Sequence, residues 1–423
     1  MKPAAHREAP APGEASDATG DQDESGYYRA LDLYTPGLLP PAVVPVHPVL
    51  SFAGFFGGRS ATQAIVDAGD ARLVTSGRIA IAMALQRIGV APGDEVLLPA
   101  YCCKSMVDPV RWAGLEPVFY RVTDELEIDH RDLRGRLSGK TRAIIAVHFF
   151  GFPQPLEQLR ELCDEWRIAL IEDCAHAFFG RWGAEAPGTV GDYAIASPTK
   201  FFPVYDGGCL VSSRHSLSTT PLRGAGVKFP LKALLNTLER SAEYRRLRPF
   251  GWLLKPVVSL KDWLWTRFKA TGAAPSTAIG PASADGGFDF DPEWIDVAMS
   301  RPSALLMHTL SHGRVERRRR ENYARLVRAF AAVDGVEVLW PSLPKGVVPY
   351  IFPLLVNQPE RVFPRLKMGG VPIFRWELIH SDECTVSADY AQRLFQLPCH
   401  QEMSDGDIAW LTDQIKAAVA RLG

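Results

Sequence analysis

An alternation of apolar, strand-like segments with helix-like segments between Leu73 and Ser213 is the strongest constraint on the fold. The two clearest strands read TRAIIAVHFF and IALIEDCA, and the helix-like segment PLEQLRELCDEWR separates them. Strands that are apolar almost without interruption are typical of a parallel sheet covered by helices on both faces. We therefore predict an α/β fold with a mostly parallel central sheet, and we expect ligands at the carboxyl ends of its strands.

The chain of 423 residues is long enough for two domains. Residues 1–27, rich in Pro, Ala, Gly, Ser and acidic residues, are predicted to form a disordered tail. We expect a large domain over residues 28–300 and a smaller α+β domain over residues 301–423. In the smaller domain, one long helix is predicted from Ser303 to Val333, followed by two strands (GVEVLW and YIFPLLV) and a terminal helix.

An insertion over residues 223–290 interrupts this pattern. Its first part, 223–269, is basic and aromatic and is predicted to be helical, and a Gly/Ala/Pro/Ser-rich stretch follows. Lys and Arg mixed with Trp and Phe are typical of helices that bind a membrane surface or a partner. The alternative is a solvated basic face with its aromatic side chains buried on the large domain.

Charge and cysteine content exclude several classes of protein. The formal net charge of −1 gives no reason to expect a nucleic acid partner. Seven cysteines without metal-ligand spacing favour reduced thiols in the cytoplasm, and no metal site is predicted. No secretory signal and no transmembrane segment are expected, although peripheral membrane contact remains an alternative.

Three residues in a fixed order predict the chemistry. Asp173 ends the apolar strand ALIED, where a carboxylate needs a cationic partner, and a protonated pyridine nitrogen is one such partner. Lys200 lies on a loop between two buried strands, which is an unusual place for a charge unless the amine forms a Schiff base. Together with His176, these residues predict a pyridoxal-phosphate (PLP) enzyme.

The phosphate of such a cofactor needs hydrogen-bond donors. Ser76, Gly77 and Arg78 stand at the start of a predicted helix, whose backbone N–H groups and dipole favour an anion. Ser197, three residues before Lys200, is a second candidate phosphate ligand.

The sequence resembles the DegT/StrS-type aminotransferases over about residues 50–215 and 300–420. The resemblance is carried by the segments TSGRIAIAMALQRIGVAPGDEVLLPAY, EPVFYRV, TRAIIAVHFFG, IEDCAHA, GDYAIASPTKFFPVYDGGCLVSS and LPCHQEMSDGDI. It implies PLP-dependent fold type I, action mostly on nucleotide-linked keto sugars, and homodimers with active sites at the subunit interface.

The resemblance also implies roles for individual residues. Asp173 is expected to pair with the pyridine nitrogen, His176 to contact the ring and Lys200 to bind the cofactor covalently. Ser197 and the Ser76–Gly77 turn are expected to hold the phosphate.

Four positions depart from the family pattern. Ser197 lies three residues before the lysine, whereas the family serine normally lies five before it. Arg78 replaces a small hydroxyl residue, and it either adds charge to the phosphate site or points away from it. Cys103 replaces the aromatic residue that covers the ring, so either Cys103 or Tyr101 has that place. Asp296 replaces an asparagine that reaches the phosphate site of the neighbouring subunit.

We predict transamination from an amino donor, commonly glutamate in this family, to a ketone acceptor. The favoured acceptor is a nucleotide-linked keto sugar. The alternative is a non-sugar keto or amino acid, whose carboxylate Arg375 would bind through two hydrogen bonds. The basic run from Arg314 to Arg320 is expected to form a solvated helix face or to pair with acidic groups.

Overall fold

A computed structural model describes the chain over residues 29–30, 40–247, 290–376, 378–379 and 384–421. The predicted tail and residues 248–289 of the predicted insertion lie outside these described residues.

The helices and strands follow one another in fourteen strands and ten α-helices within the described residues. The strands are β1 (Arg29–Ala30), β2 (Gln63–Ala64), β3 (Asp70–Val74), β4 (Glu95–Pro99), β5 (Glu116–Tyr120), β6 (Thr141–Val147), β7 (Ala169–Asp173), β8 (Phe179–Gly180), β9 (Tyr193–Ala196), β10 (Gly208–Ser212), β11 (Val336–Val338), β12 (Ile351–Val356), β13 (Leu378–Ile379) and β14 (Leu394–Pro398). The helices are α1 (Gly77–Ile88), α2 (Lys104–Trp112), α3 (His130–Gly135), α4 (Glu157–Trp166), α5 (Lys228–Glu243), α6 (Arg301–Thr309), α7 (His312–Phe330), α8 (Pro359–Met368), α9 (Thr385–Arg393) and α10 (Asp405–Ala420).

A seven-stranded sheet forms the centre of the larger part of the fold (the larger unit), with its strands between residues 70 and 212. The strand order is β3-β10-β9-β7-β6-β4-β5. The pairs among β9, β7, β6, β4 and β5 are parallel, and β10 runs antiparallel to both β9 and β3. Almost every residue of β6 and β7 is buried, because helices cover both faces of the sheet. The predicted α/β fold with a mostly parallel sheet is therefore confirmed.

Helix α1 begins and ends where its sequence predicts. The Ser76 side chain accepts a hydrogen bond from Ile79 N and caps the amino end. Gly89 ends the helix in the left-handed conformation that glycine adopts without a steric penalty.

The C-terminal part has its own antiparallel sheet, β11-β12-β14. The two predicted strands correspond to β11 and β12, whereas β14 was not predicted. The prediction of one long helix from Ser303 to Val333 is wrong, because the chain leaves the helix at Leu310 and restarts after Ser311. Ser311 N donates to Gly54 O, and Ser311 Oγ accepts from Arg314 N as the cap of α7.

The described beginning of the predicted insertion is helical, as expected, and forms α5. It packs beside the segment before the first core strands, where Leu50 N donates to Ser241 Oγ at 2.9 Å. Among the described residues, none of the helices is both apolar enough and long enough to cross a lipid bilayer.

Candidate active site

The sheet topology brings the predicted residues to one edge. Strands β3, β7 and β9 run in the same direction, so their carboxyl ends share an edge of the sheet. Ser76 follows β3, Asp173 ends β7, and Lys200 follows β9 on a short 3₁₀ turn, Pro198–Lys200. The expectation of a site at the carboxyl ends thus matches the place where these residues lie.

Asp173 is a buried carboxylate with one free oxygen. Its Oδ1 accepts a hydrogen bond from Ala175 N at 2.8 Å, and Oδ2 has no recorded donor within the described parts of the chain. Burial raises the pKa of the carboxyl, while the positive charge of Lys200 lowers it. A cation that approached Oδ2 would therefore be bound strongly.

Lys200 contributes an amine whose surroundings disfavour its charge. Desolvation lowers the pKa of the Lys200 amine, and the nearby Cys103 and Asp173 partly oppose that shift. The Nζ atom lies 5.4 Å from the centroid of the Tyr350 ring. A lysine with a lowered pKa has a larger neutral fraction, and the neutral amine is the nucleophilic form.

His176 is held as a neutral ring between two aromatic side chains. Its ring is stacked on Tyr350 at 4.8 Å and on Phe150 at 5.5 Å. Phe150 N donates to His176 Nδ1 at 3.3 Å, so the proton of the neutral ring is on Nε2. Burial and the charge of Lys200 lower the pKa of His176 well below its ordinary value, which keeps Nε2–H a neutral donor.

The amino end of α1 and Ser197 form a small cradle of backbone and hydroxyl groups. Gly77 and Ser197 are neighbours there, because a Cβ atom added at Gly77 would lie 3.8 Å from Ser197 Cβ. Ser197 Oγ is 3.1 Å from Thr199 Oγ1, a hydroxyl that the sequence did not single out. The buried Thr75 Oγ1 has no hydrogen-bond partner in the described structure.

A glycine turn makes this close approach possible. The backbone of Gly208 passes so near Ser76 that a Cβ atom would lie 2.1 Å from the Ser76 carbonyl oxygen. Gly207 N also donates to Thr75 O at 2.8 Å. The Asp-Gly-Gly turn therefore fixes the start of α1 against the lysine loop.

The remaining cofactor candidates differ in their electrostatic effect on Lys200. Arg78 lies near enough that its charge lowers the pKa of Lys200, and Cys103 acts on the same amine with the opposite sign. Tyr101 is completely buried, and its ring packs on Trp376 at 4.4 Å and on Phe149 at 5.7 Å. Of the two candidates for the ring-covering place, Cys103 is the one that acts electrostatically on Lys200.

Arg375 packs within the smaller unit, where its guanidinium lies 4.2 Å from the Phe363 ring centroid. The next residue, Trp376, reaches the site, since its ring is 6.1 Å from that of His176.

Asp296 forms an ion pair with Arg223 at 2.8 Å, and both side chains are exposed. Arg223 N also donates to Asp296 O, so the start of the insertion is tied to this position through both backbone and side chain.

Glu172, next to Asp173, has a structural task instead. Its two oxygens accept from the backbone N–H groups of residues 188, 190 and 191, and His148 Nε2 lies 3.2 Å from Oε2. His148, Glu172 and Cys174 could together approach a metal ion. The carboxylate is already saturated with donors, and we assign it to holding this loop.

Three site residues were not predicted. Tyr350 contacts both His176 and Lys200. His47, whose pKa is lowered to about 3 by burial and by the charges of Arg240, Lys200 and Arg319, lies near the same amine. Arg319 donates to the Lys200 carbonyl. All three lie outside the strand–helix alternation, so no local pattern indicated them.

The prediction of a solvated or acid-paired face for the run Arg314 to Arg320 holds for some members only. Arg317 is exposed, and Arg314 approaches Glu402 at 3.4 Å. It is wrong for Arg319, which is wholly buried.

The free polar atoms of this centre fit PLP. Asp173 Oδ2 suits a ring N–H⁺, His176 Nε2–H suits a ring oxygen, and Lys200 Nζ suits an aldehyde carbon. The Ser76, Gly77 and Ser197 cradle suits a phosphate.

The chain is similar in sequence to known aminotransferases. Residues 60–224 match the model of the DegT/DnrJ/EryC1/StrS aminotransferase family. The chain is 34% identical over 156 residues to GDP-perosamine synthase of Vibrio cholerae, which is 36% of this chain and 42% of that protein. It is 35% identical over 144 residues to dTDP-3-amino-3,4,6-trideoxy-alpha-D-glucose transaminase of Micromonospora megalomicea, which is 33% of this chain and 38% of that protein. The matched region thus spans less than half the length of either relative.

Solved structures share the fold over more of the chain. The aminotransferase TlmJ of Streptoalloteichus hindustanus superimposes with a TM-score of 0.57 at 22% identity, covering 84% of this chain and 86% of TlmJ. DesV of S. venezuelae, solved with a ketimine intermediate, gives a TM-score of 0.58 at 18% identity over 85% of this chain and 87% of DesV.

Proposed function

We propose that the chain is a PLP-dependent aminotransferase of the DegT/DnrJ/EryC1/StrS family, whose model matches residues 60–224. The observation that supports the proposal best is the convergence of Asp173, His176 and Lys200 at one sheet edge, beside Thr75 Oγ1, a buried hydroxyl without a hydrogen-bond partner among the described residues. Buried polar atoms of this kind are rare unless a ligand satisfies them.

PLP, when bound, supplies an aldehyde that condenses with amines and a ring that stabilises negative charge on the adjacent carbon. Asp173 holds a proton on the ring nitrogen through Oδ2. His176 donates from Nε2 and orients the ring. The start of α1 and Ser197 bind the phosphate through N–H and O–H donors.

Lys200 has two tasks. Its neutral amine would bind the aldehyde of the cofactor. Lys200 Nζ would also accept a proton from the carbon of an amino donor and later donate a proton, serving as base and then as acid. Desolvation lowers the pKa of this amine, which increases the fraction in the neutral form that can accept a proton.

The acceptor class follows from the relatives. Several that match residues of this region are named for amino groups on nucleotide-linked sugars, including a UDP-N-acetyl-3-dehydro-alpha-D-glucosamine 3-aminotransferase of Acidithiobacillus ferrooxidans. We propose a nucleotide-linked keto sugar as the acceptor and, from the family resemblance alone, glutamate as the amino donor. Arg375 remains the candidate for a carboxylate on a non-sugar acceptor.

The working form is a homodimer in the cytoplasm. Phe55 and Phe56 are exposed on the loop before β2, as is Leu305 on α6, and exposed apolar side chains of this size favour an interface. The seven cysteines are free thiols in the structure, which suits a reducing compartment.

Covalent trapping tests the assignment of Lys200. The purified chain is incubated with PLP, reduced with borohydride, digested and analysed by mass spectrometry. We expect the phosphopyridoxyl label on the peptide that contains Lys200, and no label at that peptide in Lys200→Ala. Lys140→Ala, which removes an exposed loop lysine, is the matched control and keeps both label and turnover. Label spread over surface lysines, without preference for Lys200, would overturn the proposal.

Two separate half-reactions test the substrates. Glutamate alone converts the cofactor to its amine form, which is followed by absorbance. Nucleotide-linked keto sugars and simple keto acids are then compared as acceptors. Arg375→Lys impairs transfer to keto acids more than transfer to sugars if the non-sugar alternative is correct.

A further inference from the structure

A buried arginine lies directly behind the lysine loop. Arg319, on α7, has 0% of its surface exposed, and its guanidinium carbon lies 4.4 Å from the Phe201 ring centroid. Within the described residues, no carboxylate lies at ion-pair distance from it. Burial lowers the pKa of Arg319 to about 10, so the side chain stays charged at neutral pH. A charge buried without a counter-charge is costly, and it persists only where its hydrogen bonds are needed.

The guanidinium group donates hydrogen bonds to three backbone carbonyls. Nη2 donates to Lys200 O at 2.7 Å, and Nη1 donates to Pro349 O at 3.0 Å and Tyr350 O at 2.8 Å. One rigid group therefore joins the lysine loop, which follows β9, to the entry of β12 in the smaller unit.

Gln401 completes the same network. Arg319 Nε donates to Gln401 Oε1 at 3.0 Å, and Gln401 Nε2 donates to Phe201 O at 2.8 Å. The carbonyls of two consecutive residues, Lys200 and Phe201, are thus both held from one arginine–glutamine pair.

Tyr350, whose carbonyl also binds Arg319, lies at the site as well. The Tyr350 ring is stacked on His176 at 4.8 Å and lies 5.4 Å from Lys200 Nζ. Arg319 binds the carbonyls of both Lys200 and Tyr350. It therefore sets the spacing between the Lys200 amine and the Tyr350 ring.

We propose that Arg319 and Gln401 are positioning residues that hold the Lys200 amine at the place where it meets the cofactor and the substrate. This inference rests on the proposed function for its kinetic consequence. Its geometric consequence, the burial of the Lys200 amine, can be measured on the chain without cofactor.

The test compares Arg319→Lys with Arg320→Lys. Arg320 stands next along the same helix and also donates to backbone carbonyls, those of Pro344 and Val347, away from Lys200. A lysine keeps the charge at either position but cannot fork between several carbonyls. Comparison of the two variants therefore distinguishes an effect specific to the position of Arg319 from the general effect of losing an arginine contact.

The first measurement is the pH profile of Lys200 modification by trinitrobenzenesulfonate, followed by peptide mapping of the full-length apoprotein. Burial keeps the Lys200 amine neutral to lower pH than free lysine, so a loosened loop shifts the midpoint upward, by about one pH unit in Arg319→Lys. Arg320→Lys keeps the wild-type midpoint. An unchanged midpoint in both variants overturns the inference whatever the enzyme does.

The second measurement is kinetic. Displacement of the amine by about 1 Å lowers kcat on the order of 100-fold, while KM for the donor stays within about threefold, because the donor contacts are kept. Equal kcat in Arg319→Lys and Arg320→Lys also overturns the inference. If the wild type itself shows no half-reaction, the proposed function fails, and the modification profile still decides the geometric claim.

Gln401→Glu provides a second variant in case Arg319→Lys does not fold. A carboxylate keeps the contact with Arg319 and removes the donor to Phe201 O. We expect the same upward shift of the Lys200 midpoint, smaller in size, with the melting temperature preserved. A wild-type profile in this folded variant contradicts the role of Gln401.

Discussion

The site formed by Asp173, His176 and Lys200 (the Lys200 centre) and the outer face of α5 differ in the kind of group that lacks a partner. At the centre, the buried Thr75 Oγ1 has no hydrogen-bond partner among the described residues, and the only hydrogen bond that Asp173 accepts there is at Oδ1. On α5 and its cap, apolar side chains are left in solvent, with Val227 85%, Leu231 55% and Leu235 39% exposed. These three residues follow helical spacing and form one stripe.

Each arrangement costs free energy in the isolated chain, and each indicates the ligand that would remove the cost. A buried polar atom is satisfied by a small polar ligand of matching charge. An exposed apolar stripe is covered by another apolar surface. The two regions also differ in origin, since the centre lies within the family match over 60–224 and α5 follows it.

The largest expected effect comes from Asp173→Asn. An amide cannot hold the proton of the ring nitrogen, so the glutamate half-reaction slows by about 10²- to 10³-fold. Single-turnover absorbance changes measure the rate. The matched variant is Asp192→Asn, at the amino end of β9, where Asp192 is paired with Arg160 at 2.9 Å.

Asp192→Asn is expected to lower stability and to leave the half-reaction of the folded enzyme unchanged. Equal rates in the two variants would mean that Asp173 is as structural as Asp192. The contrast between free and satisfied carboxylates would then be lost.

A smaller effect is expected for Ser197→Ala. Loss of one hydrogen bond to a charged phosphate weakens cofactor binding about tenfold or somewhat more, as for other bonds to charged groups. Fluorescence titration of the apoprotein with PLP measures the Kd. Ser138→Ala removes a serine that bonds Glu95 at 2.5 Å, remote from the site, and keeps the wild-type Kd. An unchanged Kd in Ser197→Ala would remove Ser197 from the cradle.

Arg78→Gln tests the electrostatics of the centre through pH. The positive charge of Arg78 lowers the pKa of Lys200, so its removal raises that pKa. At a fixed neutral pH, a smaller fraction of the amine is then neutral, and modification of Lys200 slows. We expect the midpoint of the modification profile to move upward by less than about one pH unit. A downward shift or none would mean that Arg78 points away from the amine.

The sequence could place Asp173 and Lys200 at one edge of the sheet because both residues lie at strand ends. Asp173 and Lys200 follow buried apolar strands, and the direction of parallel strands alone brings their ends to one edge. The cap at Ser76 and the Asp-Gly-Gly turn are likewise local signals.

The sequence could not predict the parts that depend on contacts between distant segments. Arg319 reads as one arginine in a basic helix, and only the approach of α7 to the lysine loop buries it. Tyr350 and His47 arrive from the smaller unit and from the segment before β2, with no motif around either. The break at Leu310 depends on Ser311 binding Gly54, which lies more than two hundred residues earlier.

The smallest expected effect on the chain itself comes from Leu231→Ser combined with Leu235→Ser. Leu231 is about half exposed and Leu235 is 39% exposed, so we expect the free energy of unfolding to change by no more than about 0.5 kcal/mol per site. If the stripe is part of the homodimer interface, the variant shifts toward monomer in light scattering while each folded chain keeps its bound PLP. Ala233→Ser, on the buried side of the same helix, is the control and lowers stability instead.

An unchanged dimer together with lost binding to anionic vesicles at low salt would assign the stripe to a membrane surface. The basic, aromatic composition of residues 223–269 raises this alternative. If neither the dimer nor the binding to vesicles changes, the exposed leucines have no interface role. Of the two regions compared, only the Lys200 centre would then indicate a ligand.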